Sequence, residues 1–327
     1  MKYGTDQAVI QIVEKGNQQV MQKFLDEYLS GNEKFGEPDY EYSAATLGKI
    51  IVNRVKELSK TIGFTNQVLA SREVKPGEVI RFDKDPHIVA YTLDEDGDNI
   101  KDIGCSKYVY PPEVEISFAV KFSDYKSAKT GEEFIEKLTN DALIQLVAIQ
   151  DNMLFKLLNR ITNANHTIID NNFEDMFSDL IKEIEQKRIP AGFILLNRET
   201  NNKFVKQIVD SDKTDWIDPT IAVELVKAGH VGVYKHWGHS TILTRPNIID
   251  EDIISKKSVY VTAPPEYLGG APIRVDLMTE PVRQEKEPIE GLYFYKLMSM
   301  VIINPFAVVR GELNDYCLTS LKSTENE

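Results

Sequence analysis

At 327 residues the chain is long enough for a sizeable core and for two or three subdomains, and 42% hydrophobic with 27% charged residues excludes a disordered polypeptide. A formal net charge of -13 argues against a protein that grips a phosphate backbone, since neutralising a polyanion takes a surplus of Lys and Arg on the binding face. Two cysteines, Cys105 and Cys317, make neither a disulfide framework nor a zinc cluster and fit a reducing compartment.

In chain order, Thr5 or Asp6 can cap a first amphipathic helix carrying Val9, Ile12, Val13, Val20, Met21, Phe24, Tyr28 and Leu29, which ends at Ser30-Gly31-Asn32. No apolar signal core stands at the N-terminus. After a polar linker, Glu33 to Tyr42, Ser43 opens a second helix with Leu47, Ile50, Ile51, Val55 and Leu58, and the two helices read equally as a small bundle or an extended arm. From Phe64 the character turns to strands. Val68 to Arg72, then Lys75-Pro76-Gly77, then Val79 to Phe82 reads as strand, turn and strand, because Pro presets the second turn position and Gly supplies the positive φ. A second, acidic turn, Asp94-Glu95-Asp96-Gly97-Asp98, misses the oxygen spacing of a calcium loop. The excursion from Val68 to Pro112 holds few core-type residues and is expected to pack on something outside itself.

Glu115 to Phe122 alternates Ile116, Phe118, Val120 and Phe122, a half-buried strand. The stretch from Thr130 to Thr162 is the longest regular signal in the chain. Ile135, Leu138, Ala142, Leu146, Ile149, Met153, Leu157 and Ile161 recur at helical steps, Thr130 with Glu133 fits a capping box, and acidic and basic ends suit the helix dipole. Helical from 131 to 162, it is roughly 48 Å long. Beyond it come a helix at Asn172 to Lys187, stopped by Ile189-Pro190-Ala191-Gly192, a continuous apolar strand Phe193 to Leu196 that implies a sheet covered on both faces, a helix from Glu199 to Val209 and a shorter one at Ile221 to Lys227. Val231 to Tyr234 and Thr241 to Thr244 flank a turn at His236-Trp237-Gly238-His239. Strands follow at Val259 to Thr262, at Ile273 to Val282 after a turn at Leu268-Gly269-Gly270, and at Phe306 to Leu313, before a polar tail from Thr319. Leu292 to Ile303 is long and apolar, and the stretch Met298 to Val309 is broken by Asn304-Pro305 and too short to span a bilayer at ~20 residues.

Signatures of chemistry are absent from the sequence pattern. His230, His236 and His239 form its only histidine cluster, but the spacing matches no zinc helix and no Cys lies near, so they read as turn and surface residues. Ser240 lies in no nucleophile elbow, and Leu268-Gly269-Gly270-Ala271-Pro272 lacks the Lys-Ser/Thr of a phosphate cradle.

Two pieces carry a likeness to a known family. The run from Asp179-Leu180-Ile181-Lys182-Glu183-Ile184 through Pro190-Ala191-Gly192-Phe193-Ile194-Leu195-Leu196-Asn197 is a helix, glycine-bearing turn, strand and asparagine, and the run Met300 to Leu313 is a closing strand. Together with the order of elements they resemble the major capsid proteins of tailed bacteriophages, whose Hong Kong phage fold is shared with encapsulin shells. Gly232-Val233-Tyr234 is similar to the family's mid-domain strand but lacks the proline often found there. The resemblance implies an α+β chain with an N-terminal arm (1–63), an E-loop (64–115), a P-domain (116–170 and 258–305) with its spine helix at 131–162, and an A-domain (171–257 and 306–327). It implies a non-enzymatic subunit that assembles with itself as hexamers and pentamers into an icosahedral shell enclosing double-stranded DNA without binding it specifically. It implies no cofactor, metal or membrane. A separate scaffolding protein, a portal and decoration proteins would be partners, the virion its location, and the host cytoplasm its place of assembly. Lys75, Pro76, Gly77, Asp94, Asp96 and Gly97 would be the E-loop assembly residues, and Leu138, Ala142, Leu146, Ile149, Met153 and Leu157 the packing stripe of the spine. An encapsulin-like compartment shares the fold, and a cytosolic α/β metalloenzyme using the histidine cluster is the alternative from another class.

Overall fold

The computed structural model describes residues 25, 38–83, 90–93, 100–103, 108–125, 127–165, 167–170, 173–202, 233–236, 240–243, 254–255, 257–283 and 289–313. The first expected helix (apart from Leu25), the acidic turn with Asp94, Asp96 and Gly97, His230 and His239, the expected helix at 221–227 and the tail lie outside the described residues. Chain contacts divide the molecule into two units, Met1–Lys60 with Glu115–Leu146 and Val275–Leu297, and Thr61–Val114 with Val147–Arg274 and Met298–Glu327. Helix and sheet are mixed throughout.

In the first unit, helix α1 spans Pro38–Ile62 and so begins inside the stretch expected as linker. Pro is favoured at the first position of a helix, where its missing N–H is not needed, which is why a helix can start there. α1 buries Ala44, Leu47, Ile51 and Val55. Gly48 sits where a Cβ would come within 2.5 Å of Thr279, so the helix backbone approaches the sheet more closely than Ala would allow. Strand β6, Val114–Lys121, alternates buried and exposed residues as its sequence requires. Phe118 stacks on Phe294 at 5.1 Å, and Phe122 and Tyr125 close on Phe134. Burial, then the hydrogen bond to Asp141, pushes the Tyr125 phenol well above its ordinary range.

Lys56 of α1 bonds Asp276 at 2.9 Å. Burial works to raise the Asp276 pKa, but the bonds from Lys56 and the Leu277 N–H outweigh it and hold the carboxyl below the usual range. Lys296 is only 4% exposed and forms no hydrogen bond or ion pair among the described residues. Burial lowers its pKa, Asp276 opposes that shift and Lys56 adds to it.

The long helix, here α3, runs Gly131–Asn165, slightly beyond its expected end. Its cap is a variant of the expected box. The Glu133 N–H donates to Thr130 Oγ1 at 3.2 Å, while the Glu133 carboxylate accepts from the N–H of Lys129 at 2.7 Å. Bonding to Lys137, then to the Lys129 N–H, holds the Glu133 carboxyl below its ordinary range. Leu138, Ala142, Leu146, Met153 and Leu157 are buried. Ile149 is only half-buried, a correction to the expected stripe, because it lies on the helical line that continues through the exposed Asn152, Lys156 and Arg160. Burial extends well beyond one stripe, to Phe134, Leu143, Val147, Leu154, Phe155 and Leu158.

The second unit contains the elements introduced at the excursion below, the far half of α3 and a six-stranded sheet. The strands are β7 (Thr167–Asp170), β8 (Phe193–Leu196), β9 (Val233–His236), β10 (Ser240–Leu243), β11 (Ser258–Thr262) and β15 (Val308–Leu313), in the order β7-β15-β11-β8-β10-β9. Helix α4, Phe173–Glu185, buries Met176, Phe177, Leu180 and Ile184. Met176 and Leu180 pack down onto Gly311 of β15. Ile194, Leu195 and Leu196 are buried, as a continuous apolar strand requires. Asn197 then caps the next helix by accepting the Glu199 N–H at 2.8 Å.

Gly269 and Gly270, expected in a turn, instead begin strand β12, Gly269–Arg283, directly after the short helix α5, Pro265–Leu268. They pair with Ile302 and Val301 of β14 (Val301–Ile302), which follows β13 (Ile289–Met298). The long apolar run Leu292 to Ile303 is shared between these two strands, broken where the Ser299 N–H turns to the Pro272 carbonyl at 2.9 Å.

Candidate functional site

The excursion between Phe64 and Glu113 is the feature the fold invests in most locally. At its root the short helix α2, Thr65–Val68, is capped from a distance by α3. Asp151, wholly buried, accepts the N–H of Phe64 at 3.2 Å and both the N–H and the hydroxyl of Thr65 at 2.9 Å. These donors belong to a helix start with no intrahelical partner, and a carboxylate is the acceptor a helix N-terminus favours. Phe64 packs edge-on against Phe155 one turn further along α3, and Phe155 against Tyr260, each at 5.4 Å.

The outgoing limb continues as β1, Ala70–Glu73, exposed at all four residues. It runs parallel to β12, Ala70 beside Gly270 through Glu73 beside Ile273, and Val74 extends the ladder with a 2.9 Å bond to the Ile273 carbonyl. Lys75-Pro76-Gly77-Glu78 is a tight turn. The Glu78 N–H closes on the Lys75 carbonyl at 3.0 Å, and Gly77 has a φ of +81°, the conformation for which Gly is required in a type II turn. It does not join two paired strands, however. β1 pairs with β12, while β2, Phe82–Asp83, pairs with β5, Tyr108–Val109. The strand, turn and strand read from Val68 to Phe82 are present, the second strand falling at Phe82–Asp83, but the two strands pair elsewhere, since a type II turn splays its flanking strands where a hairpin needs the primed types.

Beyond β2, strands β3 (Ala90–Leu93) and β4 (Ile100–Ile103) are antiparallel, and β3 pairs with β14, Thr92 beside Val301 and Tyr91 beside Ile302. Val109 is buried with Val301, and Phe82 and Ile303 pack on them. The excursion packs on elements outside itself, as its polar sequence led one to expect, and those elements include β12 and β14 of its own chain. Its middle joins a sheet of its own chain through backbone pairing, which composition does not reveal.

What it leaves open is a cleft of about 580 Å³ lined by Arg72, Glu78, Val79, Arg81, Asp83 and Tyr110. Arg72 lies over the Phe82 ring at 5.9 Å and Arg81 over Tyr108 at 5.1 Å, so aromatic faces hold both guanidiniums in place. Arg72 also reaches Glu78 at 3.7 Å. Val79 and Tyr110 are 64% and 53% exposed, among the most open large apolar side chains described. Apolar surface beside fixed charges of both signs suits a protein partner.

The return limb passes Pro111 and Pro112 to Glu113. Arg274 of β12 binds Glu113 Oε1 through Nε at 2.9 Å and Nη2 at 2.7 Å, and the Lys75 carbonyl through Nη1 at 3.0 Å. Of the expected E-loop residues, Lys75, Pro76 and Gly77 thus form a turn at the base of the excursion. The residues that matter there and that sequence reading missed are Asp151, Arg274 and Glu113. Each looks like an ordinary charge in an acidic chain, and partners 86 to 199 positions away leave no local trace.

Among the described residues no group of three His, Cys, Asp or Glu side chains could hold a metal ion. His236 ends β9 and pairs with Ser240. Among them, too, no helix is long and apolar enough to cross a membrane.

No protein-family model matches the sequence. No curated protein matches it either. Solved structures similar to the chain include a virus-like particle from Pyrococcus furiosus, with a TM-score of 0.40 and 15% identity over 81% of this chain and 97% of that one. Another is the mature capsid of bacteriophage PhiM1, with a TM-score of 0.43 and 11% identity over 77% and 87%. A third is the SrpI encapsulin complex from Synechococcus elongatus PCC 7942, with a TM-score of 0.39 and 9% identity over 75% and 84%.

Proposed function

We propose that this chain is a self-assembling shell subunit, the major capsid protein of a tailed bacteriophage, which forms the hexamers and pentamers of an icosahedral shell around double-stranded DNA. The observation that carries the reading is the excursion. It is fixed at its root by the buried Asp151 and along its base by Arg274, yet it presents Val79 and Tyr110 to solvent beside Arg72 and Arg81. A subunit that must place a neighbour accurately needs such an element, rigid where it leaves the core and open where it meets the next copy. In this reading residues 64–115 are the E-loop, Lys75, Pro76 and Gly77 shape its base, and Asp94, Asp96 and Gly97 belong to its contact with a neighbour. α3 is the spine of the P-domain. Repetition of one contact between identical chains closes into a symmetric assembly. The net charge of -13 suits a container whose contents are enclosed and not gripped. The virion is then its location and the host cytoplasm its place of assembly, with a separate scaffolding protein and a portal as partners.

Electron microscopy and light scattering of the purified protein, with and without its scaffolding partner, test the reading. Closed shells built of hexamers and pentamers are expected. Closed shells filled with a protein cargo and free of nucleic acid would identify an encapsulin-like compartment. A stable monomer at high concentration under both conditions would overturn the proposal.

A further inference from the structure

The two limbs of the excursion are held to β12 by different means. The outgoing limb is laddered to it by backbone bonds from Ala70 to Val74. The return limb reaches β6 through Pro111 and Pro112, which have no N–H to donate to a ladder and are held extended by their rings. β5 anchors the segment on one side, but between β5 and β6 it has no ladder bond, so its position relative to the outgoing limb is left to side chains. Arg274 is the side chain in position to fix it. Its guanidinium places two nitrogens on Glu113 and the third on the Lys75 carbonyl, so one planar fork spans both limbs. It stands where the ladder ends, one residue beyond Ile273.

We propose that Arg274 is the clasp that sets the angle of the excursion, a positioning residue for assembly and not a stabiliser of the fold. The arrangement needs Arg in particular, because Lys has no second and third donor in a fixed plane. The Arg274 and Glu113 side chains remain 20% and 34% exposed, and a partly exposed pair contributes little to global stability. Its effect falls instead on the limbs it joins. The assembly consequence rests on the shell reading above; the clasp itself does not.

Hydrogen exchange of the full-length protein tests the clasp directly. Arg274→Gln should keep the parental circular dichroism and melting temperature, while amides at 75–83 and 108–110 exchange roughly three- to tenfold faster and those of β8, β11 and β15 stay unchanged. Arg274→Lys should fall between. The exchanged pair Arg274→Glu with Glu113→Arg should restore protection at 108–110 but not at the Lys75 turn, whose bond is to a carbonyl. Unchanged exchange at both limbs, a general loss of protection, or failure of Arg274→Lys to fold would each overturn the clasp. In the microscope, Arg274→Gln should yield open sheets or irregular shells where the parent yields closed ones. Altered exchange with normal shells would uphold the clasp and overturn its role in assembly, and a parent that forms no shells would overturn the shell reading alone.

Discussion

Replacing Asp151 by Ala removes the acceptor of three hydrogen bonds at a place that water does not reach. Asp151 and Thr65 are fully buried and Phe64 is 2% exposed. The Thr65 hydroxyl can rotate toward another acceptor, but the N–H groups of Phe64 and Thr65 are aimed by the backbone and lose the carboxylate outright. A buried donor left unpaired costs ~1–3 kcal/mol, so the pair of amides sets the expected loss at about 2–6 kcal/mol. Against a total stability of ~5–15 kcal/mol that is a large fraction. Asp151→Asn keeps the shape and one carbonyl acceptor and should lose about half as much. Urea titration followed by far-ultraviolet circular dichroism measures both, and the midpoint should fall while the slope stays constant, since the surface exposed on unfolding is unchanged. An Ala variant within ~0.5 kcal/mol of the parent would refute the reasoning and mean that α2 finds its acceptors elsewhere.

Three further outcomes are expected. Asp83 and Tyr108 are paired neighbours, so residues 84–107 can be replaced by Asn-Gly; the product should fold cooperatively with a lowered melting temperature, because β14 loses its partner β3, and should form no closed shells by microscopy. Lys296→Met fills the same space without a buried ammonium beside Lys56 and should raise the melting temperature by differential scanning calorimetry; a lower one would show that the amine is well solvated. The Asp276 pKa is depressed in the folded chain, so its contribution is present above its unfolded pKa of ~3.9 and is lost as pH falls through the lower folded value. The stability deficit of Asp276→Asn, read by urea titration, should therefore be constant from about pH 7 to 5 and shrink as the pH falls through the unfolded and then the lower folded value.

What the sequence determined by itself are the features whose physics is local. The period of Leu138 to Leu157, the capping pair Thr130 and Glu133, the alternation of Ile116, Phe118 and Val120, and the Pro76-Gly77 turn each depend on residues within a few positions, and each formed locally, the cap with Glu133 reaching back to the Lys129 N–H. Tertiary structure alone decided partnership. That β1 pairs with β12 and not with β2, that Gly269 and Gly270 lie inside a strand, and that β3 joins β14 all depend on which surfaces meet across long stretches of chain. The same holds for Asp151 and Arg274. A carboxylate or a guanidinium looks the same in sequence whether it is solvated or bonded, and only the folded chain brings donors from Phe64 and Thr65, or an acceptor from Glu113, within reach of it.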